Sequence, residues 1–564
     1  MPESPETPGT RSVAQPAPHL RRIGIAIDLA LVVALFAVAV WVRSGATLGD
    51  LWMDEADYAL ASVRGFDANR WDLSDRPSDP ERLLKFRHYH PPFTAQLLIA
   101  ARRFGSSERD LRRPATLAGG LTVALVYLCG LSLFRSNRRP RWLPEASAAR
   151  IAALTAAAVL IWSPAHVRAT SHALPWAWIA LWLVALTGAM LRYADTRKPL
   201  WLTAAFAVLG MLFVTSEYFY PACLACAAAL PAVFWTDFRN RERVRPVLLG
   251  IGLGVAAIAV IAWVFWPAGI AGGSAKMLRH YMAMASDPWP TTVAGVQYER
   301  APKWAYAWWF WSLYRIFTIF YAAGLGAMAL LVALKRTHRG VAILLAVLGA
   351  VLYTAHRSHI IGPEYLAHAV PFLSLVGGYC ILLAADLLRP AGLMGASALC
   401  WFVVSRYSGN LMTNLDAAAL RPRWPAAARF LAPRWTQRDV IMAPQFGGVA
   451  RWNLMYASGI PMKEWQVQGL PPANANRKVL EDLARGVYAY VAVGSTFSPR
   501  PAIDARVAAM IRAWPIVWRS EEPAGEPSRL IIYRRPPLVS AGHPLAIPGE
   551  PAGGKTKQDE LAEP

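Results

Sequence analysis

Apolar residues along this chain come in long runs separated by short charged connections. The first run is Ile23–Val42, behind Arg21 and Arg22. A run of about 20 residues is long enough to cross roughly 30 Å of hydrocarbon as a helix. It is also longer than the apolar core of a cleaved signal peptide, so it reads as a retained first helix. Asp28 lies near its inner end, where it is expected to reach the headgroups. Ten further runs follow: Pro114–Phe134, Ile151–Ala165, Leu174–Leu191, Leu200–Thr215, Tyr218–Trp235, Val247–Pro267, Ile316–Leu334, Val341–Ala355, Leu366–Leu388 and Ala391–Val404. The pattern predicts eleven spans in a transmembrane domain over 20–408.

After Val404 the pattern changes. Asp439–Pro444, Tyr488–Ser495 and Ser528–Arg535 are short apolar runs of strand type, while Asn474–Gly486 and Ala502–Trp514 have helical spacing. A small α/β domain is expected over 409–536. Residues 1–19 and 537–564, rich in Pro with Gly, Ser, Thr or charged residues, read as disordered tails.

Composition agrees with a membrane protein. Hydrophobic residues make up 55% and charged residues 17%, and 24 tryptophans suit a chain with two membrane–water interfaces. The net charge of +22 raises the question of nucleic acid. Its placement answers it. The basic residues Arg135, Arg138, Arg139 and Arg141, then Arg192, Arg197 and Lys198, then Arg239, Arg241, Arg243 and Arg245, then Lys335, Arg336 and Arg339 are spread over four short loops between spans. That is the positive-inside pattern, not one basic face, and no nucleic-acid partner is expected. The N-terminus is then cytoplasmic. With eleven spans the C-terminus is extracytoplasmic, and the long loops 43–113 and 268–315 lie outside. The five cysteines all fall in predicted spans, and Cys223 and Cys226 read as packing residues of an Ala-rich helix.

The first outer loop carries candidate chemistry. It contains Trp52-Met53-Asp54-Glu55-Ala56-Asp57-Tyr58, which on a helix places Asp54 and Tyr58 on one face. The plain alternative is a solvated helix whose first-turn acids suit its dipole. Further on stands His88-Tyr89-His90-Pro91-Pro92-Phe93. Two histidines alone are not a metal site, and the proline pair fixes the chain as it returns to the membrane. Gly105 and Arg112-Arg113-Pro114 precede the second span, and Pro363-Glu364-Tyr365-Leu366-Ala367-His368-Ala369-Val370-Pro371 leads into a late one.

Together these segments resemble the GT-C glycosyltransferases, and within them family 39, which holds the protein O-mannosyltransferases and the aminoarabinose transferases. The resemblance covers roughly residues 20–410. It implies a polytopic α-helical membrane protein of GT-C type, with about eleven spans and a small extracytoplasmic C-terminal α/β domain. It also implies inverting transfer of a sugar from a polyprenyl-phosphate donor to a protein, lipid or polysaccharide acceptor at the outer face of a bacterial-type plasma membrane. By position Asp54 is the carboxylate acting as general base, with Glu55 and Asp57 as rivals, and Glu55 alternatively supporting the loop. Tyr58, His88, His90, Arg279, His280 and Arg357 are the candidates to hold sugar and lipid phosphate. The family's usual Arg is replaced by Glu364. The outer link between the third and fourth spans has His166, Arg168 and His172 where some relatives carry an acid, so Glu217 or Glu364 is the substitute if a second acid is needed. No obligatory cofactor is expected, though a divalent metal is compatible. The competing function is a transporter or lipid flippase. The clustering of acids in the first outer loop and the absence of an internal repeat speak against it.

Overall fold

A computed structural model describes residues 18–45, 55, 58–59, 92–105, 107–135, 145–238, 241–267, 269–275, 278–279, 291–299, 302, 304–334, 340–357, 363–414, 423–436, 438–444, 454, 457–458, 467–470, 477–494, 503–522 and 530–536. In chain order the helices of the membrane domain are α1 (Pro18–Gly45), α2 (Phe93–Ala101), α3 (Glu108–Arg135), α4 (Glu145–Trp162), α5 (Pro164–Thr170), α6 (Trp176–Thr196), α7 (Pro199–Phe213), α8 (Phe219–Phe238), α9 (Arg241–Phe265), α10 (Ala305–Ala333), α11 (Gly340–Arg357) and α12 (Val370–Asn414). A two-stranded hairpin of β1 (Thr291–Val293) and β2 (Val296–Tyr298) precedes α10, and a 3₁₀ turn over Pro363–His368 precedes α12.

Every predicted apolar run coincides with a helix. Six helices among the described residues are long and apolar enough to cross a membrane, or seven if the bent pair α4–α5 counts as one span. The helices α7, α8 and α11 are apolar but shorter. The last two predicted runs form the single assignment α12, broken at Arg389 (φ 53°, ψ −136°) just before Pro390. This is a multi-pass membrane protein.

Helix α4 shows why the bundle is tight. Its Ala148, Ala149, Ala152, Ala153, Ala156 and Ala157 are all buried, and small side chains let α3 and α12 approach closely. By contrast α1 exposes Ile23, Ile25, Leu29, Val33 and Trp41, and α9 exposes Leu248, Leu249, Leu253, Val260 and Trp263. Those faces suit lipid. Asp28 was expected among the headgroups. Instead it accepts hydrogen bonds from Arg150 Nε on α4 at 2.7 Å and from the Tyr127 hydroxyl on α3 at 2.8 Å, so it ties α1 to the bundle. Cys223 and Cys226 are free thiols, and Cys226 Sγ lies 3.7 Å from the Met190 sulfur.

The C-terminal part is an α/β unit. It contains α13 (Trp424–Leu431), β3 (Ile441–Pro444), β4 (Val467–Leu470), α14 (Arg477–Ala484), β5 (Tyr490–Gly494), α15 (Ala505–Ile511), β6 (Ile516–Arg519) and β7 (Leu530–Arg534). The sheet order is β4-β3-β5-β7-β6, with β3 parallel to β4 and β5, and β7 antiparallel to β5 and β6. Alternation along the strands divides the side chains between two faces. Val440, Met442 and Val491 pack with Leu480 and Leu483 of α14 and with Val507, Met510 and Ile511 of α15. Ile441, Ala443, Tyr490, Ala492, Leu530 and Ile532 pack with Trp424, Ala427, Ala428 and Leu431 of α13. This second core also contains Ala95 of α2, and Tyr58 rests against it. The buried pair Arg423–Glu522 (Nε to Oε1 2.6 Å, Nη2 to Oε2 2.8 Å) fixes the start of α13 to the segment after β6.

Candidate active site

The loop between α1 and α2 is fastened at Glu55. Its side chain is fully buried and receives two parallel hydrogen bonds from Arg112, Nε to Oε1 at 2.8 Å and Nη2 to Oε2 at 2.7 Å. The backbone N–H of Ala173 donates to Oε1 at 2.6 Å, and His172 Nδ1 stands 3.0 Å from Oε2. Burial alone pushes a carboxyl pKa up, but the Arg112 guanidinium and His172 outweigh it and hold Glu55 well below the usual carboxylate range. Glu55 is therefore an anion whose acceptor sites are committed to α3 and to the link before α6. A carboxylate so engaged suits support of the loop rather than proton abstraction, the alternative role anticipated for it.

Arg112 is delivered to this position by its own helix start. Ser107 Oγ donates to Asp110 Oδ2 at 2.6 Å, and the Asp110 N–H donates back to Ser107 Oγ at 3.2 Å. This reciprocal cap begins α3 one turn before Arg112. A side chain at Gly105 would place Cβ 2.0 Å from Asp110 Oδ2, so the glycine keeps room for the cap.

Tyr58 is half-buried between two apolar clusters. One contains Ala59, Leu98, Leu111 and Ala173; the other is the sheet-and-α13 core of the C-terminal unit. Helix α2 follows the proline pair and is pinned through its first turn. The Phe93 N–H donates to the Val214 carbonyl at 3.1 Å, and Gln96 Nε2 donates to the Phe265 carbonyl at 3.0 Å. The Phe93 ring meets Trp178, Trp182 and Phe265 edge-on, with centroids 5.6 to 6.1 Å away. Thus the segment after His90 sits against the ends of α7 and α9. Glu217, three residues beyond Val214, accepts from Ser216 Oγ at 2.8 Å.

Among the other predicted site residues, Asp54, His88, His90 and His280 lie outside the described residues, as does Asp57. Arg279 is exposed and makes no hydrogen bond or ion pair among the described residues. Arg357 closes α11, and Glu364 lies in the 3₁₀ turn; for both, the backbone alone is described. The structure therefore brings Glu55 and Tyr58 together with Arg112 and His172, and leaves the proposed phosphate cluster an expectation.

A buried polar group that the sequence did not single out lies close by. Arg43, at the last turn of α1, is fully buried; its Nε donates to Thr170 Oγ1 at 2.7 Å, Nη1 to the Ala39 carbonyl at 2.9 Å and Nη2 to His166 Nδ1 at 2.6 Å. A guanidinium can only donate, so His166 Nδ1 accepts and the ring proton belongs on Nε2. Gly119 allows the approach, since a Cβ there would stand 2.6 Å from Arg43 Nε. Tyr218 packs on the buried His368 ring, with centroids 4.7 Å apart, joining the start of α8 to the 3₁₀ turn. An arginine directly at the end of a predicted span, on the side expected to be outside and so against the positive-inside trend, was the signal available for Arg43.

The helical bundle with its C-terminal α/β unit belongs to a recognisable class: polytopic membrane proteins with the fold of the solved ArnT structures. The crystal structure of ArnT from Cupriavidus metallidurans in the apo state matches with a TM-score of 0.52 and 13% identity, covering 91% of this chain and 97% of that one. The same enzyme bound to undecaprenyl phosphate matches with a TM-score of 0.51 and 13% identity, covering 92% of this chain and 98% of that one. No protein-family model matches the sequence, and no curated protein matches it. The likeness is one of fold along nearly the whole chain.

Proposed function

We propose that this protein is a membrane glycosyltransferase that moves a sugar from a polyprenyl-phosphate donor to an acceptor on the outer face of the membrane. The observation that carries the reading is the fold shared over nine-tenths of the chain with a protein solved in complex with undecaprenyl phosphate. The acidic first loop seated by Glu55 at the start of α3 supports it.

In this reading Asp54 takes the proton of the acceptor nucleophile as that atom attacks the anomeric carbon. The bond from that carbon to the phosphate oxygen breaks, and the lipid phosphate leaves with the electron pair. Attack from the opposite side inverts the configuration. His90, Arg279 and Arg357, with His88 and His280 beside them, hold the phosphate. Arg offers a planar fork for its oxygens, and a protonated His adds a charge-assisted bond. No obligatory cofactor enters the scheme, and a divalent metal is an optional aid to the same phosphate.

The test is transfer by the purified protein in lipid nanodiscs, with a panel of labelled polyprenyl-phosphate sugars and with donor and acceptor varied separately. Arg279→Ala and Arg357→Ala are each expected to lower kcat/KM for the donor by an amount equivalent to about 2–4 kcal/mol, with acceptor KM little changed. Lipid movement without glycosidic cleavage would support the flippase reading instead. The same reading requires an extracytoplasmic C-terminus. A reporter active only outside the cytoplasm, fused after Pro536, is expected to be on; a silent one would move the outer-loop residues to the wrong side.

A further inference from the structure

We propose that the C-terminal α/β unit is a positioning element for the first outer loop, with Tyr58 and Ala95 as the residues that couple the two; this rests on the glycosyltransferase reading for its effect on catalysis, but not for the coupling itself.

The sheet is covered on one face by α14 and α15, which belong to the unit. Among the described residues the opposite face is covered by α13 and Leu454. Its core is completed by Ala95, 1% exposed, from a helix that follows the His90-Pro91-Pro92 segment. Tyr58 then spans from this core to the cluster of Ala59, Leu98, Leu111 and Ala173. Tyr58 lies three residues beyond Glu55, whose carboxylate holds Arg112 and the Ala173 N–H. Glu55 and Tyr58 are therefore each held by a different part of the protein. The membrane domain holds Glu55 through a buried ion pair, and the C-terminal unit holds Tyr58 through apolar packing. Helix α2 is gripped likewise: its backbone and Gln96 bond to the ends of α7 and α9, while Ala95 sits in the sheet's core. Two segments with candidate chemistry thus share one outer support, and displacement of that support shifts both.

Interior packing is close enough that an added or lost side chain is felt by its neighbours. Full-length protein in nanodiscs is followed by hydrogen exchange and by transfer kinetics with a polyprenyl-phosphate sugar. In Tyr58→Ala, exchange of the Ala173 amide and of the β5 amides is expected to speed up about tenfold or more, while the amides of α4 and α6 stay protected. The transfer kcat should fall about tenfold or more with donor KM within about twofold, and Tyr58→Phe, which keeps the ring, should restore the exchange protection. Ala95→Leu, which overfills the shared core without touching Tyr58, should reproduce the exchange change and the kcat loss, and serves equally if Tyr58→Ala does not accumulate. Unchanged exchange in both variants overturns the proposal. So does a Tyr58→Phe variant as slow as Tyr58→Ala with normal exchange, because the hydroxyl would then be acting on substrate. If the wild-type protein transfers no such sugar, the functional reading fails, and the exchange data alone decide the coupling.

Discussion

Arg112→Leu is expected to destabilise the docking of the loop between α1 and α2 by about 3–5 kcal/mol, because it leaves the Glu55 carboxylate buried without its main cation. The warrant is the pair of bonds at 2.7 and 2.8 Å between two side chains that are both essentially inaccessible to water. In a thermal melt in detergent the variant should lose its highest transition, and the Ala173 amide should lose its protection. Removing both charges in Glu55→Leu/Arg112→Leu should recover most of the loss, since no unpaired ion remains. Acid should imitate the single variant. The folded carboxyl sits below its unfolded value, so its contribution is fully present above about pH 4.3, the ordinary Glu value. That contribution disappears as pH falls through the lower, folded value. Stability that is flat from neutral pH down to about 5 and then falls in the wild type, but not in the double variant, is the expected signature. A double variant as unstable as Arg112→Leu would show that packing, not charge pairing, holds the loop.

The second large effect is on turnover. Asp54→Asn should lower transfer by about 10² or more, since it keeps the size of the side chain and removes the base. Glu55 is engaged by Arg112, His172 and the Ala173 N–H, and adjacent residues do not face the same direction. Of the two neighbouring acids, Asp54 is thus the better candidate for proton transfer. Glu55→Gln should act differently, through weakened seating of the loop and a lower melting temperature. If Asp54→Asn keeps full activity while Glu55→Gln is inactive yet equally stable, the base is Glu55.

The sequence revealed more of the membrane domain than of the site. Apolar runs are long and local, so each helix is visible in a window of a single chain segment. The strands β3, β5 and β7 and the helices α14 and α15 were legible for the same reason. Strand β4 is four residues with Gly469 inside, and β6 is four residues at the sheet edge. Both are the edge strands of the sheet and owe their structure to a single neighbour there. The hairpin β1–β2, with three residues in each strand, and helix α13, which opens on Trp424-Pro425, were not among the predicted elements. Glu55 and Arg112 each stood in a recognised segment, but their pairing spans 57 positions and no local pattern encodes it. Ala95 in the core of a unit that begins more than three hundred residues later was equally invisible.

That shared core sets an order on biosynthesis. Ala95 is made early, and Leu530 and Ile532, which lie in the same cluster, are among the last described residues to leave the ribosome. At about 5–20 residues per second, the roughly 440 positions between them correspond to a wait on the order of half a minute. During that interval α2 has its bonds to the ends of α7 and α9 within reach but not the sheet that covers Ala95. A nascent chain arrested before β7 should therefore carry an inserted bundle whose sheet-bearing face is unfinished, the state a quality-control protease would meet.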